Sequence, residues 1–140
     1  MENRYSWWLD EVASAGRENL DGEHASQYDA KEDAGAEAEL TLLKQLGLTE
    51  QSQVVDMGAG TGQFALTVAA ACTRVVAVDV SPVMLAVLRA KVNASGLSNV
   101  EVVQGGFLTY EHQGHPADFV YTRYALHHLP DFWNSILKFF

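Results

Sequence analysis

Apolar residues along this 140-residue chain fall into two spacings. Short runs rich in valine predict strands at 53–57, 74–78, 100–104 and 117–122, because half-buried or buried extended chain takes β-branched residues well. Between the first two runs, Ala65, Val68 and Ala69 recur at helical spacing, predicting a helix over 62–72. After the second run, Met84, Leu85, Leu88 and Val92 repeat in the same way. Ser81 suits the N-cap of that helix, Pro82 its first position and Gly96 its exit. Before the first strand, residues 32–46 read as a helix with Leu40, Leu43 and Leu46 on one face and Gly47 at its C-terminal end. Residues 6–20 form a weaker helix bearing Trp7, Trp8 and Val12, interrupted by Gly16. Residues 21–27 read as a polar loop. A polar connection, Thr109 to Pro116, leads to the fourth strand, and a short helix or turn follows from Tyr124.

Strands that alternate with helices imply parallel pairing with right-handed crossovers. The chemistry concentrates where the first strand ends, in Val54-Val55-Asp56-Met57-Gly58-Ala59-Gly60-Thr61-Gly62. Glycines at alternate positions let the backbone turn sharply and approach a ligand, since no Cβ intervenes. A helix that follows such a loop presents unpaired N–H groups to it. The next strand ends in Asp79, about 20 residues on, the spacing at which an acid meets ribose hydroxyls in nucleotide-binding α/β sheets.

This acid-x-Gly-x-Gly-x-Gly loop, from Asp56 to Gly62, resembles that of the class I S-adenosylmethionine-dependent methyltransferases. A nicotinamide-binding loop would usually read Gly-x-Gly-x-x-Gly. The resemblance continues through Val-Ala-Val-Asp79-Val80-Ser-Pro and through Ala125-Leu126-His127-His128-Leu129, and covers residues 28–135. It implies a Rossmann-like, doubly wound α/β sheet of strand order 3-2-1-4 with N-terminal helices. The ligand crevice then lies at the C-terminal edge, between strands one and four. Asp56 and Asp79 fall at that edge, and Asp118 at the opposite one.

The resemblance also assigns roles. Gly58, Ala59, Gly60 and Gly62 would wrap the amino-acid part of S-adenosylmethionine, and Asp56 would receive its ammonium. Asp79 would accept both ribose hydroxyls, with Val80 and Met84 against adenine. The third strand departs from the family pattern, because Gly106 stands where an acid usually meets the adenine amino group. Backbone groups of Gly106 and Phe107 are the expected substitutes, with Phe107 covering the ring. Arg123 would line the pocket near the methyl-transfer centre. Arg123, His127 and His128 are weak catalytic candidates, since transfer from a sulfonium needs mainly in-line positioning and desolvation. His112 and His115 sit three apart in a polar loop without a further nearby ligand set, so no metal site is expected. Trp7, Trp8 and Tyr28 are candidates for a lid.

Charge narrows the substrate. Residues 1–50 carry 12 Asp and Glu against 4 Lys and Arg, while residues 51–140 carry 6 against 5. A chain of net charge −9 repels phosphate backbones, so a small-molecule acceptor is expected rather than a nucleic acid. No apolar run reaches the roughly 18 residues of a membrane span. Cys72 is the only cysteine, which fits a reducing, cytoplasmic setting.

The sequence reading divides the chain into N-terminal helices over 1–50, a possible lid, and a cofactor-binding core over 51–140. Family members usually carry seven strands, so the core is expected to be truncated. Strand four, with Phe119-Val120-Tyr121-Thr122, would then be a bare edge beside the apolar Phe132, Trp133, Ile136, Leu137, Phe139 and Phe140. A homodimer through strand four and the C-terminal segment is the expectation. Two functions follow: methyl transfer to a small acceptor, or a non-catalytic module that binds S-adenosylmethionine or S-adenosylhomocysteine.

Overall fold

Four parallel strands form one sheet in the order β3-β2-β1-β4. They are β1 (Gln53–Met57), β2 (Arg74–Asp79), β3 (Val100–Gln104) and β4 (Phe119–Thr122). The computed structural model describes residues 35–123 and residue 125, and its described portion opens in helix α1 over residues 35–45. Helix α2 (Gln63–Ala69) joins β1 to β2, and α3 (Pro82–Ser95) joins β2 to β3. Val54 lies opposite both Val75 and Phe119, and Met57 opposite both Val78 and Thr122. The three pairings are all parallel, and the strand order is the one expected.

β1 and β2 are buried almost throughout because both of their faces are covered. Alternate residues serve different layers. Val54, Val75 and Ala77 pack under α2 and α3 with Phe64, Ala65, Val68, Leu85 and Leu88. Val55, Met57, Val76 and Val78 point to the opposite face, where they meet Phe107, Val103, Tyr110 and Ala117. Residues 105–118, which contain no helix or strand, contribute Phe107, Tyr110 and Ala117 to that second face.

α1 joins the first layer through Leu40 and Leu43, but Leu46 does not, being 65% exposed. The helix stops at residue 45, and Gly47 takes a left-handed φ of 107°. Leu48 N–H then donates to Leu43 C=O (2.9 Å) and Gly47 N–H to Lys44 C=O (3.2 Å), the bond pair of a Schellman stop. The reversal turns Leu48 into the core in place of Leu46. This corrects the expected helical face, which ran one turn too far.

The cap expected for α3 is present. Ser81 Oγ accepts from Met84 N–H, Pro82 opens the helix, and Gly96 closes it at φ 73°. α2 ends at Ala69, three residues short of expectation. There the side chain of Asn99 donates to the carbonyls of Ala69 (2.8 Å) and Cys72 (3.1 Å), satisfying acceptors that the helix leaves open. β4 begins at Phe119 rather than 117, since Ala117 packs into the second layer. Asp118 accepts from Gln53 N–H through Oδ2 (2.7 Å), so this acid lies at the start of β1, away from the crevice, as expected.

Several expectations lie outside the described residues. They are the helix over 6–20, the lid of Trp7, Trp8 and Tyr28, the turn at Tyr124, His127, His128, and the apolar C-terminal segment. Among the described residues no helix is long and apolar enough to cross a membrane.

Asn99→Ala would remove both side-chain bonds at the end of α2 and leave two carbonyls short of a donor. The expected loss is about 1–3 kcal/mol, read as a lower urea midpoint at unchanged slope; an unchanged midpoint would show that water replaces the amide.

Candidate functional site

β1 delivers Asp56 and Met57 to a loop in which Gly58, Gly60 and Gly62 all adopt left-handed φ angles, 79°, 58° and 87°. L-residues rarely take this region, so the turn requires glycine. Space is limiting too. A Cβ on Gly58 would lie 2.5 Å from Ala125 Cβ, and one on Gly62 would collide with buried Leu88. The N–H groups of Gly58 and Ala59 both donate to Val78 C=O, at 2.8 and 2.9 Å, pinning the loop to β2.

Asp79 completes the anchoring. One carboxylate oxygen accepts Gly60 N–H and the other Ser81 N–H, each at 2.8 Å. The group is buried. It therefore ties the glycine loop to the start of α3. An ionised carboxylate offers about four acceptor positions, so these bonds are compatible with hydroxyl donors from a ligand. Gly105 N–H also returns to Asp79 C=O (3.0 Å), which brings the loop after β3 to the same edge.

A small, open crevice beside this loop is lined by Asp56, Gly58, Ala59, Thr61, Gln63, Phe64, Tyr121 and Arg123. Asp56 stands in register with Tyr121 of β4. The Tyr121 ring stacks on Phe64, centroids 3.7 Å apart and planes 20° from parallel. Its hydroxyl donates to Glu39 Oε2 of α1, and Glu39 Oε1 pairs with Arg123 Nη1 at 2.7 Å. Burial raises the Tyr121 phenol well above its ordinary value of 10.0, and the hydrogen bond to Glu39 and the charges of Glu39 and Asp56 add to the rise, against a smaller lowering by Arg123. The phenol is thus held protonated, as a donor.

On the adenine side the sequence reading names Val80, Met84, Gly106 and Phe107. Val80 is half-buried, and its carbonyl accepts from Gln104 Nε2 (3.4 Å). Met84 is 0% exposed and belongs to the core. Gly106 N–H donates to Thr109 Oγ1 (2.9 Å), and its carbonyl accepts from Thr109 and Tyr110 N–H. Phe107 is buried among Val55, Met57, Val76 and Val78. The Gly106 backbone is thus engaged within its own turn, and Phe107 packs on the sheet face formed by Val55, Met57, Val76 and Val78.

His112 and His115 serve the connection between β3 and β4. Nε2 of His112 lies 2.7 Å from His115 C=O and donates to it, and its Nδ1 is hydrogen-bonded to the Tyr110 hydroxyl, also at 2.7 Å. Among the described residues no group of three or more potential ligands could hold a metal ion.

Glu39, Thr61, Phe64 and Tyr121 were not singled out from the sequence. Thr61 and Phe64 border the glycine motif and were open to inference by adjacency. Tyr121 falls in the fourth strand run, two residues before Arg123. Glu39 carries no local signal; it is one acid among many in the first 50 residues.

Residues 54–139 match a family model described as a methyltransferase domain. The chain is 29% identical over 97 residues to a demethylmenaquinone methyltransferase of Shouchella clausii, covering 67% of this chain and 41% of that protein. It thus spans about two fifths of the length of the curated relative it matches. Among solved structures it is similar to a SAM-dependent methyltransferase from Aquifex aeolicus, with a TM-score of 0.67 and 26% identity over 80% of this chain and 61% of that one. It is also similar to the YcgJ protein from Bacillus subtilis, with a TM-score of 0.64 and 27% identity over 71% of this chain and 43% of that one.

Because Asp79 braces the loop through protein bonds alone, its removal should be felt without any ligand. Asp79→Ala loses two buried charge-assisted bonds, roughly 2–4 kcal/mol. Denaturant unfolding of the ligand-free protein measures this, and wild-type stability in that variant would reduce Asp79 to a ligand contact alone.

Proposed function

The chain belongs to the methyltransferase domain family, and we propose that it binds S-adenosylmethionine in the crevice and serves methyl transfer to a small-molecule acceptor. The observation that carries this reading is the glycine loop held between Asp56 and Asp79, with both acids at the C-terminal edge of adjacent parallel strands. In a doubly wound sheet that edge, at the switch between β1 and β4, is where ligands bind.

The residues present suit the cofactor. Asp56 borders the crevice and would receive the ammonium. The loop of Gly58, Ala59, Gly60 and Gly62 brings backbone close to the amino-acid part, with no Cβ at its three glycine positions. The Asp79 carboxylate, an acceptor at both oxygens, suits the two ribose hydroxyls, and Val80 stands beside it for adenine. When bound, the cofactor supplies an activated methyl on a sulfonium. The protein's part is to hold the sulfonium in place and exclude water. Arg123 borders the same space, within reach of an anionic group of cofactor or acceptor. The net charge of −9 supports a small acceptor over a nucleic acid. The free, buried Cys72 supports a reducing, cytoplasmic setting.

We further infer that two copies meet through β4. Among the described residues its outer side is unpaired by any strand, and Val120 is 52% exposed there. Phe119 to Thr122 contain no lysine or proline to discourage pairing.

Isothermal titration decides cofactor choice: S-adenosylmethionine and S-adenosylhomocysteine are expected to bind and NAD not to. Binding of NAD alone would overturn the reading. Light scattering at micromolar concentration tests the assembly, with twice the 15.3 kDa chain mass expected and a stable single-chain mass refuting it.

A further inference from the structure

Gly35 and Glu39 stand one turn apart on the same face of α1, before the segment that matches the family model. Both meet Arg123, a side chain of the crevice wall. Glu39 Oε1 accepts from Arg123 Nη1 at 2.7 Å, and Glu39 Oε2 accepts from the Tyr121 hydroxyl. One carboxylate thus holds two neighbouring side chains of that wall. The Glu39 and Arg123 side chains are only 24% and 28% exposed, unlike the freely solvated surface pairs that contribute little.

Gly35 contributes by what it lacks. A Cβ there would lie 2.5 Å from Arg123 Nη1 and 3.3 Å from both Cζ and Nη2. The guanidinium therefore rests against the helix in space that any other residue would fill. The nitrogen that a Cβ would touch first is the one bonded to Glu39. In sequence, Gly35 stands between Ala34 and Ala36. Alanine is the best helix former and glycine among the poorest, so helix formation gives no reason for a glycine here. Residue 35 is helical, a conformation open to any L-residue, so the backbone gives none either. The reason is the close approach of Arg123.

Arg123 shares its small crevice with Asp56, Gly58 and Ala59. The ammonium and carboxylate of S-adenosylmethionine are borne on one carbon. A ligand that brings its ammonium to Asp56 therefore brings its carboxylate into the same space. A guanidinium meets a carboxylate through a planar, paired set of N–H donors, so its placement matters as much as its charge.

We propose that Gly35 is a positioning residue of the crevice: its missing side chain, together with the Glu39 carboxylate, seats the Arg123 guanidinium where it meets the carboxylate of the cofactor's amino-acid end. Neither Gly35 nor Glu39 lines the crevice itself, so α1 acts through Arg123. The proposal rests on the reading that this crevice binds S-adenosylmethionine.

The test is calorimetric titration of the full chain with S-adenosylhomocysteine in a double-mutant cycle of Gly35→Ala and Arg123→Met. The added methyl meets the far end of a flexible side chain rather than backbone, so Gly35→Ala is expected to fold. Arg123→Met keeps an apolar stem and removes the guanidinium. Gly35→Ala should weaken binding about tenfold in the wild-type background, the size of one lost charge-assisted bond. It should change nothing in the Arg123→Met background, where there is no guanidinium to displace. Methylthioadenosine, which keeps the adenosine and lacks the amino-acid end, should bind Gly35→Ala and wild type alike; that comparison needs no change at Arg123. The proposal is overturned, with cofactor binding left intact, by unchanged affinity of Gly35→Ala for S-adenosylhomocysteine, by an equal loss in both backgrounds, or by an equal loss for both ligands. A Gly35→Ala chain that does not fold also overturns it, since the guanidinium would then not be the group that gives way. Failure of the unaltered protein to bind S-adenosylmethionine or S-adenosylhomocysteine overturns the cofactor reading itself, and this proposal with it.

Discussion

The buried carboxylate of Asp79 holds the working edge of this molecule together. It ends β2, and its two oxygens take the amides of Gly60 and Ser81. One bond fixes a loop whose three glycines have left-handed φ, and the other fixes the start of α3. Left alone, such a loop has high conformational entropy, because glycine has more backbone freedom to lose than any other residue. A short polar side chain carried by a rigid, buried strand is a stiff place from which to restrain it. The same residue is the one expected to meet a ribose. Its scaffold role means that the loop is already shaped before a ligand arrives, which lowers the ordering cost of binding.

Much of the fold was legible because its signals are local. Valine runs mark the central strands, which are covered on both faces. The Ser81-Pro82 start and Gly96 stop of α3 depend on chemistry within a few residues. The misjudged boundaries have long-range causes. α2 is closed by Asn99, which is 30 positions from Ala69. Leu46 fits the helical period, but the Gly47 reversal exchanges it for Leu48, so periodicity alone overruns the stop.

The candidate site was legible in the same uneven way. The loop and Asp79 announce themselves by spacing. The adenine side is less readable, because Gly106 and Phe107 answer to the β3–β4 connection. Within that connection Phe107 packs on the sheet and Gly106 turns back on Thr109. Glu39 is invisible from the sequence because its partners, Tyr121 and Arg123, are more than 80 residues away. It belongs to the acidic first 50 residues, and most acids in such a stretch face water. Only tertiary contact distinguishes this one, and no period or motif encodes that contact.

Tyr121 shows what kind of chemistry the crevice can host. A phenol in an active site invites a role as a base, but that requires its proton to leave near neutral pH. Burial, the bond to Glu39 and the nearby charge of Asp56 all oppose ionisation. The phenol therefore stays a donor, occupied with Glu39, and its ring is stacked on Phe64. Its contribution is shape: it fixes a wall of the crevice and holds the acid that pairs with Arg123. Such a wall suits a reaction limited by alignment and desolvation rather than by proton removal. Attack on a sulfonium methyl has those requirements, since the leaving group departs as a neutral thioether and needs no proton. Under the proposed reading, the wall that Phe64 and Tyr121 form gives such a transfer a fixed surface to align against.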